Sequence, residues 1–162
     1  METERLELIP LSAEELMLWL NDLPALEKRK NCHYRAEEMT EEFADVLRFC
    51  AAAIETDPEN LLWHTFWWIV RREDRAVVGS IDFKNVPSDG VVEIGYGLGP
   101  AFEHRGYMTE SVKAFLDFAR ARGVRRVVAE TETNNLPSQL VLQRCGFCLQ
   151  SRGDTLWWGV DL

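Results

Sequence analysis

The segment from Val91 to Thr109, VVEIGYGLGPAFEHRGYMT, constrains the fold of this chain more than any other. It is an apolar strand interrupted by Gly95, Gly97 and Gly99, followed by a short loop and the start of a helix. Glycines inside a strand introduce a bulge or let a ligand approach the backbone. A helix that begins just beyond presents unpaired N–H groups and the positive end of its dipole. The segment therefore predicts a site for a phosphate-bearing ligand, and the alternative is a β-to-α turn that uses glycine only for its shape.

Caps and apolar spacings predict the remaining helices and strands. Ser12 and Glu15 form the capping box of a first helix, which Asn21 and Pro24 are predicted to end. Thr40 caps a second helix, which ends before Pro58. The strongly charged segment from Leu26 to Met39 is poorly periodic, which leaves a short helix or a loop as alternatives. The apolar face predicted for the second helix contains Phe43, Val46, Leu47, Cys50 and Ile54. Two later helices are predicted over the stretches that end at Gly123 and Gly146. Further strands are predicted over Arg5 to Ile9, Thr65 to Arg72, Ala76 to Lys84, Val124 to Glu132, Phe147 to Ser151 and Thr155 to Asp161.

This order of elements indicates one α+β (mixed α/β) domain over residues 1–162. An antiparallel hairpin is expected around Glu73 and Asp74. Where a helix bridges two strands of one sheet the strands run parallel, so one parallel pair is also expected. Together the patterns predict a mixed, mostly antiparallel sheet of about six or seven strands with about four flanking helices.

The charge and hydropathy of the chain exclude several classes of partner. The formal net charge is −9 with scattered Lys and Arg, which argues against a nucleic-acid or membrane surface and suits a cationic partner such as an amine. The most apolar window, Leu61 to Val70, is about half a membrane span in length and predicts a buried strand. The acidic start, METERLELIP, lacks the basic region of a secretory signal, so we expect a cytoplasmic protein. Its oligomeric state is left open between a monomer and a homodimer.

The four cysteines are predicted to be reduced and to bind no metal. Cys145 and Cys148 form a C-x-x-C pair, but Gly146 and Phe147 between them look like a helix stop followed by a strand. No second pair of ligands has the spacing that a zinc site requires.

Three segments resemble the GCN5-related N-acetyltransferase (GNAT) family, in the branch near the ribosomal-protein alanine acetyltransferases. EIGYGL followed by FEHRGYMTE is similar to the family's bulged strand and the Q/R-x-x-G-x-G/A loop that opens a helix. NNLPSQLVLQRCGF is similar to its N-x-x-S, apolar helix and final Gly-Phe, and TERLELIPLSAEEL resembles the start of that branch. The chain departs from the loop pattern at Glu103, at His104, where many members have glycine, and at Met108.

The resemblance implies a GNAT-like fold whose sheet splays at an acetyl-CoA site, with acetyl-CoA as the co-substrate and no metal. Gly97 and Leu98 would pair with the pantetheine arm, and Asn135 would offer its side-chain amide to pantetheine or substrate. Backbone N–H groups of the loop and helix start would bind the pyrophosphate. The residues implied for that contact are Glu103, His104, Arg105, Gly106, Tyr107, Met108 and Thr109.

The implied reaction is acetyl transfer to a primary amine of a small molecule or a protein N-terminus, by direct attack in a ternary complex. The backbone N–H of Leu98 would hold the developing oxyanion. A carboxylate must take the proton of the amine, directly or through water, and we favour Glu93. Glu130 and Glu132 share one face of their strand and form a reserve pair. The structural alternative for Glu93 is a solvated strand residue or an ion-pair partner.

A proton donor for the leaving thiolate is optional, because a thiol of this kind has a pKa of about 8.5. Many family members use a tyrosine in the last helix, where this chain has Leu142, so the resembling branch points to Ser138. Ser138 could instead cap its helix, and Tyr107 is a weaker donor candidate that is expected to pack against the core. These departures keep an alternative function open: a non-catalytic acyl-CoA-binding or interaction module with the same fold.

Overall fold

The computed structural model describes residues 1–162 and contains eight strands and six α-helices. The strands are β1 (Leu6–Pro10), β2 (His33–Tyr34), β3 (Phe66–Arg71), β4 (Ala76–Phe83), β5 (Val91–Leu98), β6 (Arg126–Glu132), β7 (Cys148–Arg152) and β8 (Thr155–Asp161). The helices are α1 (Ala13–Asn21), α2 (Leu23–Lys30), α3 (Glu41–Thr56), α4 (Leu61–His64), α5 (Tyr107–Ala121) and α6 (Leu136–Arg144). Single 3-10 turns occupy Pro58–Asn60 and Pro100–Phe102.

The strands form one mixed sheet in the order β1-β3-β4-β5-β6-β8-β7, and the two-residue β2 pairs with β4. The helix α5 connects β5 to β6, and these two strands run parallel as expected. The β2–β4 pair is also parallel, and all other pairs are antiparallel. The prediction of a mixed, mostly antiparallel sheet is confirmed.

The structure has more helices than the four predicted, and the additional helices α2 and α4 lie where the sequence patterns were weakest. Proline in the first turn starts a helix as readily as it ends one. Accordingly, Pro24 begins α2, and the Asp22 side chain accepts a hydrogen bond from the Ala25 N–H. Only Leu26 of α2 is buried, so the helix has little apolar periodicity. The window from Leu61 to Val70 is not one strand, because its first four residues form the short helix α4.

Adjacent tryptophans show how the sheet separates two cores. Trp67 belongs to a cluster of 27 buried residues on the face that α5 covers, where it packs against Phe115. Trp68 belongs to a cluster of 12 on the opposite face, with Leu16 of α1 and Leu47 of α3. Side-chain alternation along a strand requires this division.

A bulge decides which side chains of β4 lie on the face of the smaller core. The β3–β4 register shifts next to Val70. Beyond the shift, Ser80 lies opposite Trp68 and Asp82 lies opposite Phe66, so both polar side chains share that face. This polar end of the face borders β5, where the candidate site forms.

Candidate functional site

The neighbouring strands β5 and β6 separate partway along their length. They pair only from Val91 to Glu93, against Arg126 to Val128. Beyond that point β5 stays bonded to β4 as far as Leu98, and β6 stays bonded to β8 as far as Glu132. A gap therefore opens between the carboxyl ends of the two strands, as the resemblance predicted.

The Leu98 N–H points into this gap. The next residue, Gly99, donates its N–H to the Val78 carbonyl oxygen at 2.9 Å, toward β4. Successive N–H groups of an extended strand point to opposite sides, so the Leu98 N–H points away from β4 and toward the space that β6 has left. It is the donor that the sequence predicted for an oxyanion.

A cavity of about 570 Å³ occupies the gap. Its walls are the end of β5, the loop and first turn of α5, and the first turns of α6. The predicted site residues that line it are Gly97, Leu98, Glu103, His104, Gly106, Tyr107, Met108, Thr109, Asn135 and Ser138. Arg105 and Glu93 are not in the lining. The cavity also contacts Tyr96, Glu37, Leu140, Val141 and Arg144, which sequence reasoning missed.

The loop before α5 holds two residues in the left-handed region. Gly106, with φ of 80°, precedes the first helical residue, and no side chain caps the helix there. The first N–H groups of α5, beginning with Tyr107, therefore stay available to an anion. His104 also has a positive φ, of 59°. This explains why the resemblance expects glycine at that position, and a side chain there adds backbone strain.

The amino-terminal segment holds this loop through hydrogen bonds from Arg5. Arg5 donates from Nη1 to the Arg105 carbonyl oxygen at 2.9 Å and from Nε to Glu110 at 2.7 Å. Glu110 also accepts from the Thr3 hydroxyl at 2.6 Å. Burial raises the pKa of Glu110, but the hydrogen bonds from Thr3 and Arg5 outweigh burial and bring the pKa below its ordinary value. Arg105 thus contributes its carbonyl oxygen, through which Arg5 holds the loop in place. No local sequence signal could have indicated this contact.

Ser138 forms a hydroxyl pair with Tyr96 rather than capping its helix. Its Oγ donates to Tyr96 Oη at 2.9 Å, and Tyr96 Oη donates to the Ser138 carbonyl oxygen at 3.2 Å. The cap is Asn135, whose side-chain oxygen accepts from the Ser138 N–H at 3.1 Å. Burial raises the pKa of Tyr96 to about 12, so its hydroxyl keeps its proton at neutral pH. Tyr107, in contrast, packs in the core beneath the Arg5 guanidinium, as predicted.

A second cavity, of about 280 Å³, meets the first at Glu37, Tyr96 and Gly97. It lies on the face of the smaller core, between β4 and α3. Val46 of α3 lines it together with Phe43 and is 41% exposed, so the core does not cover this part of the predicted apolar face of α3. Its lining also includes Tyr34, Glu38, Phe43, Ser80, Asp82 and Lys84.

The candidate base residues all lie on one face of the sheet, but outside both cavities. Glu93 lies beside Val128 in the parallel register, so the face of Glu93 is also that of Glu130 and Glu132. Burial raises the pKa of Glu93, Lys84 lowers it and Glu130 raises it. Glu130 accepts a hydrogen bond from the Thr155 hydroxyl.

Asp82 is the carboxylate of this face that lines the second cavity, and sequence reasoning missed it. Burial raises its pKa from 3.8 to about 6, Lys84 lowers it and Glu93 raises it. The alternation of Ser80 and Asp82 with Ile81 and Phe83 was the only available signal. That alternation shows a polar face but not what lies over it.

The other sequence predictions concern metals and membranes. All four cysteines are free thiols, and Cys145 is buried, which raises its pKa to about 11. No group of three or more His, Cys, Asp or Glu side chains is arranged to hold a metal ion. None of the helices has both the length and the apolar character needed to cross a bilayer.

Comparison with known sequences gives a family match and several partial relatives. A family model described as an acetyltransferase (GNAT) domain matches residues 5–148. The uncharacterized N-acetyltransferase YjdG of Bacillus subtilis is 32% identical over 88 residues, covering 53% of this chain and 52% of that protein. The uncharacterized N-acetyltransferase p20 of Bacillus licheniformis is 30% identical over 81 residues, covering 49% and 46%. The chain thus spans about half the length of the curated relatives it matches.

Solved structures share the whole fold at low sequence identity. The ribosomal-protein-S5-alanine acetyltransferase of Vibrio fischeri superposes with a TM-score of 0.73 at 14% identity, over 99% of this chain and 95% of that one. An acetyltransferase of Agrobacterium tumefaciens gives 0.69 at 22%, over 99% and 92%. The microcin C7 self-immunity acetyltransferase MccE, in complex with acetyl-CoA and AMP, gives 0.65 at 17%, over 99% and 94%.

Proposed function

The chain belongs to the GNAT acetyltransferase family, and we propose that it transfers an acetyl group from acetyl-CoA to a primary amine within one ternary complex. The observation that carries the proposal is the junction of the two cavities at Gly97, next to the inward-pointing Leu98 N–H. One cavity can hold an extended cofactor and the other an acceptor, so both can reach one point at the same time. Such positioning removes much of the entropic cost of a bimolecular reaction.

The first cavity fits acetyl-CoA by its shape and its donors. The uncapped first turn of α5, from Tyr107 to Thr109, offers N–H groups to a pyrophosphate. The gap between β5 and β6 leaves main-chain groups of Gly97 and Leu98 for an amide-bearing arm. The complex of MccE with acetyl-CoA supports the same co-substrate here. When bound, acetyl-CoA supplies the activated acyl group.

Groups of the protein would then stabilise the developing negative charge and transfer the protons. The Leu98 N–H would polarise the thioester carbonyl. The Tyr96–Ser138 hydroxyl pair would donate a proton to the leaving thiolate, a role that the sequence assigned to Ser138 alone. Glu93 lies on the same face of the sheet but outside both cavities, so it would act only through water, as the acceptor of the second proton that the amine loses after it attacks the thioester.

Thiol release from acetyl-CoA, measured with a panel of amines and amino-terminal peptides, tests this function. We expect acetyl-CoA to raise the melting temperature, since a ligand that binds only the folded state stabilises it, and at least one amine to accelerate thiol release. Stabilisation without any accelerating amine would favour the alternative of a non-catalytic acyl-CoA-binding module. The negative charge of Glu103 at the phosphate loop is the observation that keeps this alternative in view.

A cytoplasmic location, and a monomeric or homodimeric state, are proposed on the sequence alone. The net charge of −9 argues against a nucleic-acid or membrane partner. Sedimentation at several concentrations would decide between the two oligomeric states.

A further inference from the structure

Asp82 is a largely buried carboxylate that accepts no hydrogen bond from the protein, and Lys84 is the nearby cation that lowers its pKa. Its exposed fraction is 5%, yet it lines the second cavity. Its pKa is set by burial and by the charges of Lys84 and Glu93, with no hydrogen bond among the causes. A buried, unpaired carboxylate is costly. The cost is offset when a ligand supplies the missing donor.

The geometry points to Asp82 as the group that binds the ammonium of the acceptor and takes its proton, and to an acceptor that is a small primary amine with an apolar body and no carboxylate. This inference rests on the proposed acetyl transfer and names its acceptor class. The carboxylates of Glu37 and Glu38 add further negative charge to the second cavity, against the single cation Lys84.

The walls and size of the second cavity support this class. Tyr34 and Phe43 supply aromatic surface, and Val46 supplies aliphatic surface at the mouth. The volume of about 280 Å³ lies just below the range of roughly 300–1,000 Å³ that is typical of drug-sized ligands. The cavity therefore suits a small cation with an apolar body. A second carboxylate on the ligand would face the repulsion of Asp82 and Glu37.

The sheet register places Asp82 closer to the reacting point than Glu93. Along β5, Gly97 lies opposite Ser80 and Gly95 lies opposite Asp82, while Glu93 lies one step farther from the gap. A Cβ added to Gly95 would lie 2.8 Å from Asp82 Oδ1 and 2.7 Å from Cε of Lys84, so both side chains lie over the bare backbone of Gly95. The glycine leaves the space that these two side chains require beside the second cavity.

The proton balance of the step is simple. One N–H bond of the ammonium breaks, and its proton passes to a carboxylate oxygen of Asp82. The freed lone pair forms the new C–N bond as the C–S bond breaks, and the nitrogen then loses a second proton through water to Glu93, which leaves a neutral amide. The thiolate takes a proton from the Tyr96–Ser138 pair, and water restores the proton of the pair. Asp82 then releases its proton through the open second cavity, which returns the site to its starting state.

Steady-state kinetics with 2-phenylethylamine and with phenylalanine, which adds one carboxylate to the same body, test the inference. We expect 2-phenylethylamine to be the better substrate and Asp82→Asn to lower its kcat/KM by about 100-fold. The acetyl-CoA-induced rise in melting temperature should be unchanged in this variant. In the wild type, kcat/KM should fall as the pH drops through the pKa of Asp82, and this acid limb should be absent in Asp82→Asn. The titratable groups that face Asp82 are Lys84, Glu93 and Cys50.

Glu38→Gln is the matched control, since it removes the same charge from an exposed position in the same cavity. Solvent screens this carboxylate, so a fall of only about threefold is expected. Retention of kcat/KM within threefold in Asp82→Asn, or a preference for phenylalanine, would overturn the inference.

Calorimetric titration of 2-phenylethylamine separates failure of the inference from failure of the proposed function. Binding to the wild type that is lost in Asp82→Asn would support the ammonium site even if no amine were acetylated. Equal binding to both proteins, or binding to neither, would overturn it. Thiol release with other amines would in that case still support acetyl transfer.

Discussion

Replacing Asp82 with asparagine should stabilise the protein at alkaline pH, independently of any catalytic role. The folded state raises the pKa of this carboxyl from 3.8 to about 6, and burial is the main cause. Raised acid pKa values favour the protonated form, so the folded protein loses stability as the pH rises from about 4 to about 6 and carries the full cost above that range. Asparagine does not titrate, and the variant escapes this cost.

The size of the effect follows from the pKa values. At 1.36 kcal/mol for each pH unit, a rise from 3.8 to about 6 corresponds to about 3 kcal/mol at pH 8. This is an upper bound, because Lys84 loses a favourable charge when Asp82 is replaced. For a domain of 162 residues, such a gain would raise the melting temperature by about 6–12 °C.

Urea unfolding of both proteins, followed by tryptophan fluorescence between pH 4 and pH 8, measures the effect. The free energy of unfolding of Asp82→Asn should exceed that of the wild type at pH 8, and the difference should shrink toward zero near pH 4. A difference that is independent of pH, or a variant that is less stable at pH 8, would refute the assignment of a buried, destabilising charge to Asp82.

Three further substitutions address the loop, the hydroxyl pair and the favoured base. Arg5→Ala should weaken acetyl-CoA binding about tenfold in calorimetry, since the Arg105 carbonyl oxygen loses its hydrogen bond. The control Arg48→Ala, which removes an exposed ion pair of α3, should leave acetyl-CoA binding unchanged. Tyr96→Phe should lower kcat about tenfold and spare acetyl-CoA binding; an unaltered kcat would remove the hydroxyl pair from the reaction. Glu93→Gln should spare acetyl-CoA binding and lower kcat while the acid limb set by Asp82 remains, and an unchanged kcat would exclude Glu93 as a base.

Local signals in the sequence predicted the elements that depend on a few neighbouring residues. The capping box of Ser12 and Glu15 is present in α1, and the Thr40 side chain caps α3 by accepting from the Phe43 N–H. Pro24 shows where such signals fail, because the same residue type both ends and begins helices. Caps and turns follow from backbone hydrogen bonding within one or two turns of chain, which a sequence displays directly.

The site was predictable to the extent that it depends on backbone. Glycines of the β5 strand and the loop glycine Gly106 indicated a gap and an anion site, and the residues around them line the first cavity. The hydroxyl pair of Tyr96 with Ser138 was not predictable, because it joins β5 to a helix 42 residues away. The same holds for the contact of Arg5 with the loop at Arg105.

Local patterns along the chain were sufficient to predict the order of the elements, the mixed character of the sheet and a place where a phosphate-bearing ligand could contact the backbone. They did not indicate which carboxylate faces a cavity, because that depends on how the strands and helices pack. Glu93 of β5 was favoured from the sequence, and Asp82 of β4 was not considered. Both lie on one face of the sheet, and Glu93 lies only two residues from Gly95, the partner of Asp82 on β5. Strand register and the helices packed on the sheet set burial, and burial sets the charge chemistry of each carboxylate. These are long-range interactions, which alternation along a single strand does not reveal.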